Sequence, residues 1–385
     1  MRVFICWTHL SGYMAACWRA LSACPGIELS VMCVQSVDAT IGFQADLLHG
    51  LNAHVLSPEQ WNDYSVVRSM VLAAKPDVVL ISGWGHRPYV RLARDAALSH
   101  ARFVMMTDTP RRDTWRQRLG RLKIRSLLRR VDRMMVAGER AWQLGRLLGV
   151  PEEKLRRGVY GFDRKQFGAV LPRRPPDGRD WPRAFLFVGR YIAVKGIEVL
   201  LDAYARYRAM PRADSTQDPW TLTCCGKGPL ASLISGQPGV RDLGFISPPA
   251  LPDVLLQHGA LILPSLYEPW GVALAEALAT GLPAICTEAC GASVELLRPL
   301  YNGLLCATGD AGALAEAMYW IEAHQAKLPE MGRRGAELAA AFDAEVWALR
   351  CAEMFKEICP AAALDAAWIA SVNTEAASVA AKSNG

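Results

Sequence analysis

The sequence has no uncharged apolar run approaching the ~20 residues that span a bilayer. Its opening, MRVFICWTHLSGY, has too short an apolar core before His9 and Gly12 to be a secretory leader. It has no CxxC pair. The eleven cysteines are scattered and odd in number, which disfavours a disulfide framework or a zinc site and suits reduced core thiols. Excess charge is also scarce: 43 Lys and Arg against 37 Asp and Glu leave +6, too little to imply nucleic acid as a partner. No repeat recurs at solenoid periods. What is present is globular usage, 51% hydrophobic and 21% charged, in 385 residues, a length for two domains or a little more. The expectation is a cytoplasmic enzyme.

Short apolar runs alternate with helical patterns along the chain. RVFIC (2–6), IELSVMCV (27–34), DVVLIS (77–82), RFVMMT (102–107) and RMMVAG (133–138) read as strands buried on both faces, as a parallel sheet under helices requires. A doubly wound α/β domain is therefore expected over 1–167. The stretch 168–183, GAVLPRRPPDGRDWPR, holds four prolines without periodicity and reads as a linker. The same grammar then restarts with FLFVG, WTLTCCG, RDLGF, ALILPS, PAICTE and GLLCAT, predicting a second doubly wound domain over 184–340. A helix at 341–359 and a loosely held tail at 360–385 complete the reading. In such domains ligands sit beyond the carboxyl ends of the strands.

The loop after the first strand, CWTHLSGY, has a single glycine, Gly12, where a dinucleotide fingerprint needs three. NAD and FAD are disfavoured. In the second half, Arg190 ends a strand and Lys195 precedes a helix, so two cations flank a helix N-terminus and can hold a diphosphate. Gly226 and Gly228 in CCGKGPL let backbone approach a ligand, or simply form the turn. In LPSLYEPWGVALAEALATGLP, Glu268 precedes a helix and Glu276 lies in its second turn. The amides of Trp270, Gly271 and Val272 between them suit a phosphate. The two carboxylates would repel one and should accept hydrogen bonds from sugar hydroxyls instead, so the pattern points to a nucleotide sugar.

GRYIAVKGIEVLLDA, CCGKGPL, YEPWGVALAEALATGLPAICTEACGASVELL and YNGLLCATGD together resemble, in order and spacing, the donor domain of family 4 retaining glycosyltransferases. The resemblance runs over roughly residues 183–325. VAGERAWQLGRLLGVPEEKLRRGVYGFD is similar to the stretch that closes the first domain of that family. The resemblance implies the GT-B fold, two facing Rossmann-like domains with a cleft between them. It also implies transfer of a hexose from a nucleotide-sugar donor to a glycan or lipid-linked acceptor, with retention and with no metal or other cofactor. Under it Arg190 and Lys195 hold the diphosphate, Glu268, Trp270 and Gly271 the sugar, and Glu276 the ribose, with Val272, Gly226, Gly228 and Gly12 also on the donor side. Many members carry a histidine after the strand matching RFVMMT; here Thr107 and Asp108 stand there. Asp108, or His86 in SGWGHRP, is the candidate to take that catalytic place. A nucleotide-sugar epimerase and a non-catalytic subunit on the same fold are the alternatives.

One segment is more basic than the whole chain. RRDTWRQRLGRLKIRSLLRRVDR (111–133) has ten Lys or Arg and two acids, a net of +8, with Trp115, Leu119, Leu122, Leu127 and Val131 near helical spacing. It reads as a solvated basic face over a core stripe, or as a helix that docks on an anionic membrane on the cytoplasmic side. With few aromatics it makes no case for nucleic acid.

Overall fold

In the computed structural model, which describes residues 1–35, 45–212 and 217–360, the apolar runs form two separate parallel sheets. The chain divides into two units. The first is Met1–Phe162 together with the chain from Phe342 onward, and the second is Asp163–Ala341.

The first sheet holds β1 (Arg2–His9), β2 (Glu28–Val34), β3 (Ala53–Leu56), β4 (Val78–Ser82), β5 (Arg102–Thr107), β6 (Arg133–Val136) and β7 (Leu155–Arg157), in the order β3-β2-β1-β4-β5-β6-β7. Phe4, Ile5, Val79, Leu80, Phe103 and Val104 are all at most 1% exposed, so neighbouring residues facing opposite sides of the sheet are both covered. The predicted strands are here, and β3 and β7 are added at the edges, where AHVL and LRR are too short and too polar to read as buried strands. Chain order reverses between β1 and β4, which places the crevice of this unit at their carboxyl ends.

The terminal helix, Ala344–Ile358, packs on the helix Gly12–Ser22 within the first unit. The Trp347 indole donates to the carbonyl of Val159 at 2.9 Å. Phe162 and the returning Phe342–Ala344 run side by side, bonded both ways at 3.0 and 2.9 Å. The tail expected beyond residue 360 lies outside the described residues.

The second sheet holds β8 (Ala184–Val188), β9 (Thr221–Cys225), β10 (Val240–Asp242), β11 (Ala260–Leu263), β12 (Ala284–Thr287) and β13 (Gly303–Cys306), in the order β10-β9-β8-β11-β12-β13. Its reversal lies between β8 and β11.

The linker reading of 168–183 is corrected here. The stretch belongs to the second unit, and its Arg174 is buried. The guanidinium donates to the carbonyls of Thr280 at 2.6 Å, Leu255 at 2.8 Å and His258 at 3.0 Å. Those carbonyls lie at the ends of the helices Val272–Ala279 and Leu251–Leu256, where backbone acceptors lack intrahelical partners and the dipole favours a cation. Trp181 is also buried, with its indole bonded to the carbonyl of Gly259 at 2.9 Å. Proline and charge here anchor the chain to the second unit.

The basic segment is the helix Trp115–Arg130. The single stripe expected of it is two. Leu127 and Val131 are buried, whereas Trp115, Leu119 and Leu122 are exposed. The five-residue step from Leu122 to Leu127 turns the helix by about 140°, which puts them on different faces.

Candidate active site

The loops that leave β8 and β11 bring Lys195 and Glu268 together. After β8 the chain runs through Gly189 and Arg190 into a short turn at Ala193–Lys195 and then into the helix Ile197–Ala209. The entry is at Gly196, whose φ of 73° suits glycine. A Cβ there would lie 2.0 Å from the carbonyl oxygen of Pro264, so this glycine lets the β8 and β11 loops touch backbone to backbone.

Across that contact the Lys195 ammonium donates to Glu268 Oε2, with side chains only 17% and 13% exposed. Burial strengthens the attraction but also removes both groups from water, so the pair is held only where further partners help. Ser265 adds a longer hydrogen bond to the same oxygen at 3.4 Å. The backbone of Glu268 is fixed too: its carbonyl accepts from Gly291 at 2.9 Å, and that of Trp270 accepts from Ala292 at 2.8 Å.

Gly271 opens the helix Val272–Ala279 with a φ of 104°. A Cβ there would lie 2.9 Å from Cys290 Sγ and 3.2 Å from Glu268 Cγ, so only glycine fits without moving the carboxylate. The first amides of this helix have no intrahelical acceptor and point to its amino end. Glu276, in the second turn, makes no hydrogen bond or ion pair with any described residue, and burial raises its carboxyl to about 7. Desolvation disfavours the anion, and a hydroxyl donor brought to it would favour the anion again.

Gly226 and Gly228 serve this site indirectly. A Cβ on Gly226 would lie 1.9 Å from the carbonyl oxygen of Gly189, and one on Gly228 would lie 2.5 Å from that of Tyr191. Their close approach is thus to the loop carrying Arg190, which they brace together with the bond from Tyr191 N–H to the Lys227 carbonyl at 2.9 Å. Tyr191 is itself buried and donates to Asp242 at 2.6 Å. Neither Asp242 nor the Cys290–Ala292 segment was singled out from the sequence. The glycine in ACGASVELL was the available signal, since a Cβ on Gly291 would lie 2.0 Å from the Pro269 carbonyl oxygen.

In the first unit the candidates separate. Asp108, just past β5, accepts from the Tyr160 hydroxyl at 2.8 Å, and Tyr160 meets Tyr13 edge-on at 5.6 Å between ring centroids. Gly12 begins the helix that carries Tyr13, so Gly12 and Asp108 belong to one cluster at the carboxyl ends of β1 and β5. His86 does not join them. Its ring stacks on Trp61 at 3.7 Å and meets Tyr89 edge-on at 4.3 Å. Both ring nitrogens are buried, and desolvation lowers the imidazole to about 4. His86 thus sits in a buried aromatic cluster apart from Asp108, where desolvation disfavours the imidazolium.

Two family models match this chain in succession. Residues 8–158 match the glycosyl transferase 4-like domain and residues 174–338 match glycosyl transferases group 1. Among curated proteins, the D-rhamnosyltransferase WbpZ of Pseudomonas aeruginosa is 29% identical over 216 residues, 54% of each chain. An uncharacterised glycosyltransferase of Methanocaldococcus jannaschii is 28% identical over 172 residues, 41% of this chain and 42% of that protein. The match spans about half the length of these relatives. Among solved structures, Anabaena HepE in complex with UDP and glucose superposes with a TM-score of 0.72 at 17% identity, covering 93% of this chain and all of that one. The fold is thus that of GT-B glycosyltransferases, with two Rossmann-like domains.

Proposed function

We propose that this chain, whose residues 8–158 match the glycosyl transferase 4-like domain and 174–338 match glycosyl transferases group 1, moves a hexose from a nucleotide-sugar donor to a glycan or lipid-linked acceptor, with retention of anomeric configuration. The observation that carries this reading is the meeting of Lys195 and Glu268 at the β8/β11 crevice, beside the amino end of the Gly271-led helix.

In this reading the diphosphate lies against Arg190, Lys195 and the amides of Gly271 and Val272. Lys195 then has two anionic neighbours and serves as the hinge between phosphate and sugar. Glu268, oriented by Lys195 and Ser265, accepts from hydroxyls of the hexose. Glu276 accepts from the ribose. As the bond from sugar to diphosphate breaks, negative charge grows on the leaving oxygen. Fixed cations and amides favour that charge without reorganising, so the residues supply leaving-group stabilisation without a metal. Asp108, held by Tyr160, is the remaining candidate of the first unit for contact with the reacting sugar.

A panel of nucleotide sugars screened for thermal stabilisation identifies the donor, since a ligand at 100 times its Kd adds about 2.7 kcal/mol. With that donor, Glu276→Ala should weaken binding and Glu268→Ala should mainly lower turnover, each by about 1.5–3 kcal/mol for a lost charged hydrogen bond. Wild-type affinity and turnover in both variants would sink the reading. Conversion of the donor to an isomeric nucleotide sugar, with no free nucleotide released and no acceptor needed, would assign the chain to epimerisation instead.

A further inference from the structure

The helix Trp115–Arg130 has an apolar stripe on each of two opposite faces. One packs inward through Leu127, with Ile124 and Leu128 partly covered. The other consists of Trp115, Leu119 and Leu122, which are 67%, 55% and 70% exposed. At about 100° per residue these three fall within roughly 60° of one another, on the side away from Ile124. A helix that only covers a core needs one such stripe.

The flanks of the outer stripe are basic. Arg116 and Lys123 lie along one side, and Arg118, Arg121, Arg125 and Arg129 along the other. All six are exposed, and among the described residues none forms an ion pair. The cations at the ends of the segment differ. Arg111 pairs with Asp113, and Arg130 pairs with Asp132 and donates to the carbonyls of Leu98 and Ala101. The helix is therefore fixed to its unit at one end, while its unpaired cations line the outward apolar stripe.

We propose that this face docks on an anionic lipid bilayer, with Trp115, Leu119 and Leu122 entering the acyl boundary and the six flanking cations meeting lipid phosphates. The arrangement fits a surface that is apolar within and anionic at the level of the headgroups, because long basic side chains reach sideways to the phosphates while their stems cover apolar surface. A nucleic acid would use the charge but leave the leucines exposed. The proposal stands on the first unit alone, so its failure leaves the donor-site reading intact.

The test is co-sedimentation of the full chain with vesicles of phosphatidylcholine alone and of phosphatidylcholine mixed with phosphatidylglycerol, at low and high salt. Binding is expected only to the anionic vesicles and should weaken as salt screens it. Each cation near such a surface strengthens binding about fivefold. The double variant Arg118→Gln, Arg125→Gln should therefore bind roughly 25-fold more weakly. Leu119→Ser with Leu122→Ser should also abolish sedimentation, and because those side chains face outward the unfolding temperature and donor-induced stabilisation should stay unchanged. Equal binding to both vesicle types, binding to neither, or wild-type sedimentation of both variants would overturn the proposal. So would retention of duplex DNA at a salt concentration where anionic vesicles are not bound.

Discussion

In the second unit, the loops at the β8/β11 reversal hold Lys195 and Glu268 in contact; in the first, the loops near the β1/β4 reversal hold His86 dry under Trp61 and Tyr89. The sheets are built on the same plan, so the difference comes from what fills the crevice. Gly196 and Gly226 let neighbouring backbones close up, and Gly271 leaves room for the side chains of Cys290 and Glu268. Around His86, aromatic rings occupy that volume and exclude the water a charged group would need. A doubly wound sheet supplies the location of a site, and the loop residues decide whether ions can persist there.

The largest effect that would test this contrast is on stability. Arg174→Met removes three charge-assisted bonds and leaves buried carbonyls at two helix ends without a donor, so a loss of about 3–5 kcal/mol is expected in denaturant unfolding. Arg130→Met in the first unit removes bonds to two carbonyls from a partly exposed guanidinium and should cost only about 1–2 kcal/mol. Equal losses would show that Arg174 anchors its stretch to the helix Val272–Ala279 no more firmly than Arg130 anchors its own helix.

Next comes turnover. Gly271→Ala must relieve both an unfavourable backbone angle and contact with Cys290 and Glu268, and displacing that carboxylate should cost about 10²-fold in transfer rate. Gly85→Ala, beside His86, meets nothing within 4 Å and should change the rate less than about twofold. A matched pair of rates would erase the distinction between the two crevices.

The smallest effects are in pH dependence, where both groups are shifted by burial. Glu276 has its carboxyl raised to about 7, so the fold favours the protonated form, and the penalty for ionising grows as pH rises from about 4.5 to 7. Glu276→Gln should be more stable than wild type at pH 8 by about 2 kcal/mol and no more stable at pH 4. Ribose hydroxyls favour the anion, so donor affinity should rise about tenfold from pH 6 to pH 8 in wild type and stay flat in the variant. His86, lowered to about 4, acts in the opposite range: wild-type stability should fall as pH drops from about 6.5 towards 4. His86→Phe should remove that fall without changing turnover, as calorimetry and a pH–rate profile would show. A turnover defect in this variant would instead support a catalytic role for His86.

Much of the fold was legible. RFVMMT became β5 residue for residue, and the strands of both sheets lie within a few positions of their apolar runs. The edge strands β3 and β7 were not legible, because a short strand with one open side carries no continuous apolar run. The stretch around Arg174 was misread for a different reason. Its partners are carbonyls 81 to 106 positions away, and nothing in its own residues announces them. The glycines of the second unit were recognised, while the backbone each one approaches, such as Gly189 for Gly226, was not.

Sequence alone determined the alternation of buried strands and helices, the two-unit organisation, and the spacing of Glu268 and Glu276 about a helix start. These follow from periodicity and local backbone preference, which neighbouring residues carry among themselves. Tertiary structure alone decided that Lys195 reaches Glu268 across 73 positions, that His86 is sealed from water, and that Trp115, Leu119 and Leu122 face outward while Leu127 faces in. Ionisation and exposure are set by whatever surrounds a group in space. Those surroundings exist only once distant segments have packed.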